Sequence, residues 1–172
     1  MTLMSGGQAV VATLEAENIK YAFGLIGSAT MEIFDALYDS NDINYIGVHD
    51  ERTGVHMADG YARASGQAGL FLAGQNGPGA TNLITGIADA QIDSTPIVCI
   101  TGQVNSNLLG TDAFQETDVI GISMPVTKWN YQVTKAEEIP TAIAKAFYIA
   151  KSGRPGPVLI DITKDAQFGK VD

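Results

Sequence analysis

A carboxylic acid placed where a strand gives way to a helix can exchange a proton with a bound ligand, and Glu51 stands at such a point. Residues 43–48 are apolar and strand-like, Asp50 is a good helix cap, and residues 51–64 read as a helix. An acid in a first helical turn also suits the helix dipole, so residue type and position leave both roles open. Other chemistries find less support. His49 and His56 have no His or Cys partner at metal-ligand spacing, and no metal ligand is expected in the chain. Cys99 lies inside the apolar run 96–100, as an inert buried thiol would, and no serine sits in a G-x-S-x-G elbow. Covalent catalysis by a side chain is therefore unsupported. The run Gly74-Gln75-Asn76-Gly77-Pro78-Gly79 is neither G-x-G-x-x-G nor a P-loop; taken alone it is a tight strand-to-helix turn.

The elements that must position these residues alternate in period. Strands are expected at 21–25, 43–48, 69–73, 96–101, 126–133 and 157–162. Helices are expected at 6–17, from 31 to an end near 39–42, at 51–64, at 81–90 and at 136–151, the last with Ile139, Ile143, Ala146, Phe147 and Ala150 along one face. Strands separated by helices give an α/β fold in three layers: a mostly parallel six-stranded sheet with helices on both faces. Ligands of such a sheet bind beyond the carboxyl ends of its strands. That rule selects the turns at 24–28, 48–51 and 74–79, and the long polar stretch from 102 to 116, which reads as a functional loop.

The chain has 172 residues, enough for one domain with a full core. Its net charge of −9, with ten scattered Lys and Arg, disfavours nucleic acid and anionic membranes as partners. No run of about 18 apolar residues is present to span a bilayer. One cysteine permits no internal disulfide, and the start lacks a basic region followed by an apolar one, so a cytoplasmic setting is expected. Residues 1–165 are taken as the domain and 166–172 as the start of a linker to a middle domain.

An ordered set of motifs resembles one family. It comprises Phe23-Gly24-Leu25-Ile26-Gly27-Ser28, His49-Asp50-Glu51 with Met57-Ala58-Asp59-Gly60-Tyr61-Ala62-Arg63, and Asn76-Gly77-Pro78-Gly79-Ala80-Thr81-Asn82. Ile100-Thr101-Gly102-Gln103-Val104 leads to Gly110-Thr111-Asp112-Ala113-Phe114-Gln115-Glu116, and the set closes with Thr127-Lys128-Trp129-Asn130 and Gly153-Arg154-Pro155-Gly156-Pro157-Val158. Together they resemble the N-terminal, pyrimidine-binding domain of thiamine diphosphate enzymes, with acetolactate (acetohydroxyacid) synthase the most similar subgroup. Ile26, Ser28 and Gln75-Asn76 look more like sulfoacetaldehyde acetyltransferase.

The resemblance implies a transferase that decarboxylates a pyruvate-type 2-oxoacid and joins the product to an acceptor, as in branched-chain amino acid biosynthesis. It implies that Glu51, nine residues before Gly60, is catalytic: it meets the ring nitrogen of the cofactor's aminopyrimidine and so promotes loss of the thiazolium proton. Gln115 is a second catalytic candidate. Gly27, Ser28, Pro78 and Asn82 would shape the cofactor pocket, Phe114 and Lys128 would face substrate, and Arg154 matches a flavin-contacting position. The family's G-D-G motif for Mg²⁺ and diphosphate does not occur in this chain. Mg²⁺, and FAD if used, would therefore be held by other domains. The partner implied is the diphosphate-binding domain of a second subunit, in a homodimer or homotetramer, and the isolated domain is expected to be inactive. Two other organisations fit: a free-standing alpha subunit of a split decarboxylase of the sulfopyruvate decarboxylase type, and a non-catalytic interaction module.

Overall fold

The central strands are apolar on both faces, and alternate side chains go to different helices. A computed structural model describes residues 3–74 and 76–171. A short antiparallel pair, β1 (Met4–Ser5) with β8 (Lys170–Val171), lies apart from the main sheet. The main sheet contains β2 (Tyr21–Leu25), β3 (Asn44–Gly47), β4 (Gly69–Ala73), β5 (Ile97–Gln103), β6 (Trp129–Val133) and β7 (Val158–Thr163). Its order is β3-β2-β4-β5-β7-β6, and every pairing is parallel. The expected three-layer α/β architecture is present, with a main sheet wholly rather than mostly parallel.

Leu70, Leu72, Val98, Ile100, Val158 and Ile160 pack against α1 (Gly6–Ala16), α2 (Met31–Tyr38) and α6 (Ile139–Lys151). Phe71, Ala73, Ile97, Cys99 and Leu159 point the other way, into α3 (Glu51–Ser65), α4 (Gly77–Asp93) and α5 (Val119–Ser123). This is the period-two alternation of a strand buried on both sides. Local signals start the helices. Ser5 and Gln8 close a capping box at α1, and the Asp50 carboxylate accepts the Thr53 amide at 3.1 Å to start α3.

Three elements differ from the sequence expectation. Helix α4 starts at Gly77 rather than at 81: Pro78 sits in the first turn, where a helix needs no donor, and the Ala80 amide already bonds the Asn76 carbonyl at 2.9 Å. The strand expected at 126–133 begins only at Trp129. Before it run α5, capped by the Asp118 side chain on the Gly121 amide, and a 3-10 turn over Met124–Val126 containing Pro125. Short apolar runs do not separate helix from strand by period alone. Residues 164–171, within which a linker is expected to begin at 166, form α7 (Lys164–Phe168) and β8. Ala166 and Gln167 are buried there, and β8 pairs with β1.

Candidate functional site

The chain runs from β2 out to β3, then crosses back to β4 on the other side of β2. The carboxyl ends of β2 and β4 are thus a topological switch point, the usual ligand crevice of an open parallel sheet. The two turns that leave it are tied together. The Ala29 amide donates to the Gly74 carbonyl at 2.9 Å, and the Thr30 hydroxyl donates to the Ala73 carbonyl at 3.0 Å. A side chain at Gly102 would come within 2.4 Å of the Ala29 carbonyl oxygen, so glycine is required for this turn to lie over β5.

Glu51 is the first residue of α3 and is only 6% exposed. Its Oε2 accepts from the Asn82 Nδ2 of α4 at 2.9 Å, and Oε1 has no hydrogen bond among the described residues. The pair bridges the seam between α3 and α4. Farther along this seam His56 Nδ1 lies 3.5 Å from the Asp89 carboxylate, and Arg63 joins Asp59 and Asp93. His56 and Arg63 thus have structural partners.

Gln115 belongs to a loop folded around one side chain. The Glu116 carboxylate accepts the amides of Gly110, Thr111 and Ala113. These donors, Gly110 first, hold it below its ordinary range despite some burial. Asp112 and Gln115 take left-handed backbone angles, φ of 56° and 57°, which non-glycine residues adopt at a cost. The Gln115 carbonyl accepts the Gly77 amide at 2.6 Å. A Cβ at Gly77 would come within 2.2 Å of the Thr117 hydroxyl and 2.6 Å of that carbonyl, so glycine is required for the loop to sit on the start of α4.

Between this loop and the Ser28 turn is a cavity of about 300 Å³, lined by Ser28, Asn76, Gln103, Asn105, Phe114 and Lys164 among others. Helix α7 holds its walls. Lys164 Nζ donates to the Ser28 carbonyl and pairs with Glu32, and Gln167 donates to the Ala29 carbonyl at 2.8 Å. Asp165 accepts both the amide and the hydroxyl of Ser106. Burial alone would raise the Asp165 pKa, but these donors outweigh it and leave the carboxyl below its ordinary value. A wider groove of about 800 Å³ between α1 and α6 is lined mainly by apolar residues, Ala9, Ala12, Ala144 and Val171 among them, and lies away from Glu51.

The sequence candidates separate into two groups. Gly27, Ser28, Glu51, Pro78, Asn82, Phe114 and Gln115 all lie at the carboxyl edge. Glu51 touches Asn82, Gln115 rests on α4 next to Pro78, and Ser28 shares the cavity with Phe114, which is 82% exposed. Glu51 is not among the residues that line this cavity. Lys128 and Arg154 are at the opposite edge, a strand length of roughly 17 Å away. Lys128 precedes β6, and its ammonium caps the carbonyls of Ile149 and Ser152 at the end of α6; desolvation lowers its pKa. Arg154 bonds the Ser94 hydroxyl at 2.8 Å and the Ile92 carbonyl at 3.0 Å at the end of α4. Cys99 is fully buried, and burial pushes its thiol up to about 12.

Gln103, Asp161 and Asp165, which support the site, were not singled out from sequence. A signal existed: on β5 and β7 the face that buries Cys99 and Leu159 turns polar toward the carboxyl end, at Thr101, Gln103, Asp161 and Thr163. Among the described residues no group of three or more His, Cys, Asp or Glu is placed to hold a metal ion, and no helix is long and apolar enough to cross a membrane.

The fold and this edge define a parallel α/β domain with a buried acid beside the crevice where sheets of this kind bind ligands. Residues 4–122 match the family described as "Thiamine pyrophosphate enzyme, N-terminal TPP binding domain", and the chain belongs to it. It is 52% identical over 169 residues to the probable acetolactate synthase large subunit of Methanocaldococcus jannaschii, covering 98% of this chain and 28% of that protein. The acetolactate synthase large subunit of Corynebacterium glutamicum is also 52% identical over 169 residues, with 98% and 27% covered. The isozyme 3 large subunit of Escherichia coli is 49% identical over 165 residues, with 96% and 29% covered. The chain thus spans less than a third of the length of these relatives.

Proposed function

We propose that this chain forms the pyrimidine-side half of a thiamine diphosphate site in an acetolactate synthase-type transferase acting on small 2-oxoacids. One observation carries the reading: a buried carboxyl at the switch-point edge, fixed by Asn82 through one oxygen, the other having no hydrogen bond among the described residues. These residues fit an aminopyrimidine, one of whose ring nitrogens needs a carboxyl that can give it a proton and take it back. When bound, thiamine diphosphate supplies the carbanion-stabilising chemistry. Glu51 holds or accepts a proton at its carboxyl, and Asn82 keeps that carboxyl oriented. Gly27, Ser28 and Pro78 shape the pocket on either side, Gln115 faces its reacting end, and Phe114 faces the substrate. Diphosphate, Mg²⁺ and any FAD fall to other domains, because this chain carries no G-D-G motif. A substrate-side role for Lys128 or a flavin contact for Arg154 needs a neighbouring domain set against the amino edge.

The test is calorimetric titration of thiamine diphosphate with Mg²⁺ into this chain and into a polypeptide of the relatives' length. The expected result is no tight binding by the chain alone and tight binding by the longer protein that Glu51→Gln weakens. Tight Mg²⁺-dependent binding by the chain alone would refute the half-site reading. Restored binding on mixing with a separate diphosphate-binding chain would identify a split enzyme instead.

A further inference from the structure

Asp161 is fully buried in β7, and among the described residues no basic group pairs with it. Its carboxylate instead takes three neutral donors: the Thr101 hydroxyl at 2.7 Å, Gln132 Nε2 at 2.9 Å and Gln103 Nε2 at 3.2 Å. Thr101 and Gln132 are its register partners on the two flanking strands, β5 and β6. Desolvation raises the Asp161 pKa, and the three donors oppose the rise. A buried carboxyl without a cation is an expensive way to tie strands together, which apolar residues do at least as well. Its particular property is to accept and never donate when ionised.

That property matters for Gln103. The Gln103 amide is read from both sides: Nε2 also donates to the Thr117 carbonyl at 2.9 Å, and Oε1 accepts the Val104 amide at 2.9 Å. An inverted amide would set oxygen against the Thr117 oxygen and nitrogen against the Val104 nitrogen, spoiling both contacts. An acceptor at position 161 forbids the inversion. Thr117 in turn flanks Gly77, whose amide holds the Gln115 carbonyl.

We propose that Asp161 is a positioning residue for the Gln115 loop, acting through the fixed amide of Gln103 on the Thr117 carbonyl. This rests on the reading of Gln115 as a group that faces the cofactor. Asp161→Asn preserves the arrangement, because the Thr101 hydroxyl can turn to accept from the new amide and donate to the Ile160 carbonyl, 3.5 Å away. The asparagine oxygen then still faces Gln103 and Gln132. Asp161→Leu removes the acceptor. Gln103→Met leaves Asp161 with Thr101 and Gln132 and cuts only the link to Thr117.

The experiment compares these three variants in a polypeptide of the relatives' length. It reads amide hydrogen exchange of the segment holding Gly77, the urea unfolding midpoint, and kcat and KM for pyruvate. For Asp161→Leu and Gln103→Met, exchange at Gly77 is expected to rise about tenfold or more beyond what the change in global stability accounts for. A fall in kcat of about 10- to 100-fold with KM nearly constant should accompany it, as slight misplacement of a working group produces. Asp161→Asn should stay within about threefold of wild type on both readouts. Unchanged exchange at Gly77 in a folded Gln103→Met protein overturns the inference, as does an Asp161→Asn protein as impaired as Asp161→Leu. Absence of thiamine-dependent turnover in the wild-type protein sinks the functional reading alone, and the exchange readout then decides the loop's support.

Discussion

The two edges of the main sheet use charge in opposite ways. At the amino edge Lys128 and Arg154 are tied to carbonyls where α6 and α4 end, positions where a cation satisfies leftover acceptors and meets the negative end of the helix. At the carboxyl edge an acid, Glu51, is buried at a helix start with one oxygen committed, and two more acids, Glu116 and Asp165, are spent holding loops in place. Asp112 and Gln115 there take left-handed backbone angles, as Asn18 and Ser94 do at the amino edge, and Phe114 projects into solvent. The charges of one edge answer helix ends, and the acids of the other hold loops and a helix start.

The sharpest way to break this contrast is at Glu51. In a polypeptide of the relatives' length, Glu51→Gln is expected to slow exchange of the thiamine C2 proton by roughly 10²- to 10⁴-fold, read by NMR. Exchange at the wild-type rate in an intact protein would remove Glu51 from catalysis. Next in size is Gly77→Ala. In most helices this change stabilises, but here the methyl meets Thr117 and Gln115, so a loss of about 1–3 kcal/mol is expected in urea unfolding. A stabilised variant would mean that the loop moves away freely.

The amino edge should answer differently. Lys128→Met keeps the aliphatic stem and loses two charge-assisted hydrogen bonds, for a stability loss of about 1 kcal/mol with thiamine C2 exchange unchanged. A selective rise in KM for the oxoacid would instead favour a substrate-side role. The smallest effect concerns pH. The folded pKa of Glu116 lies below its unfolded value, so its stabilisation is complete above the unfolded value and fades as pH falls through the folded one. The urea midpoints of wild type and Glu116→Gln should therefore differ near pH 7 and converge as pH falls through the folded pKa, below the ordinary glutamate range. Asp161 runs the other way, because burial raises its folded pKa and its contribution is lost as pH rises. A gap between wild type and Glu116→Gln that widens on acidification would show that the loop is not held by the ionised carboxylate.

Much of the carboxyl edge was legible in the chain. The corner at Asp50-Glu51 and the turns after each strand follow from local period and capping, whereas Lys128 was read as part of a strand from 126 and stands before β6 only because that strand begins at Trp129. The early start of α4 was obscured because glycine and proline signal a turn as readily as a first helical turn. The support of the site was harder to read. Asp165 and Lys164 stand at the expected end of the domain with no motif around them, yet their contacts reach residues 59 and 136 positions away.

The sequence by itself determined six strands, the helices between them and the edge at which an acid could meet a ligand, because burial on two faces imposes a period that local residues must obey. Only the tertiary structure decided that Glu51 is fixed by Asn82, 31 positions away, and that Gln103 meets Asp161, 58 positions away. A buried polar group must find a partner, and which partner is near depends on which strands and helices become neighbours, a choice that no local pattern encodes.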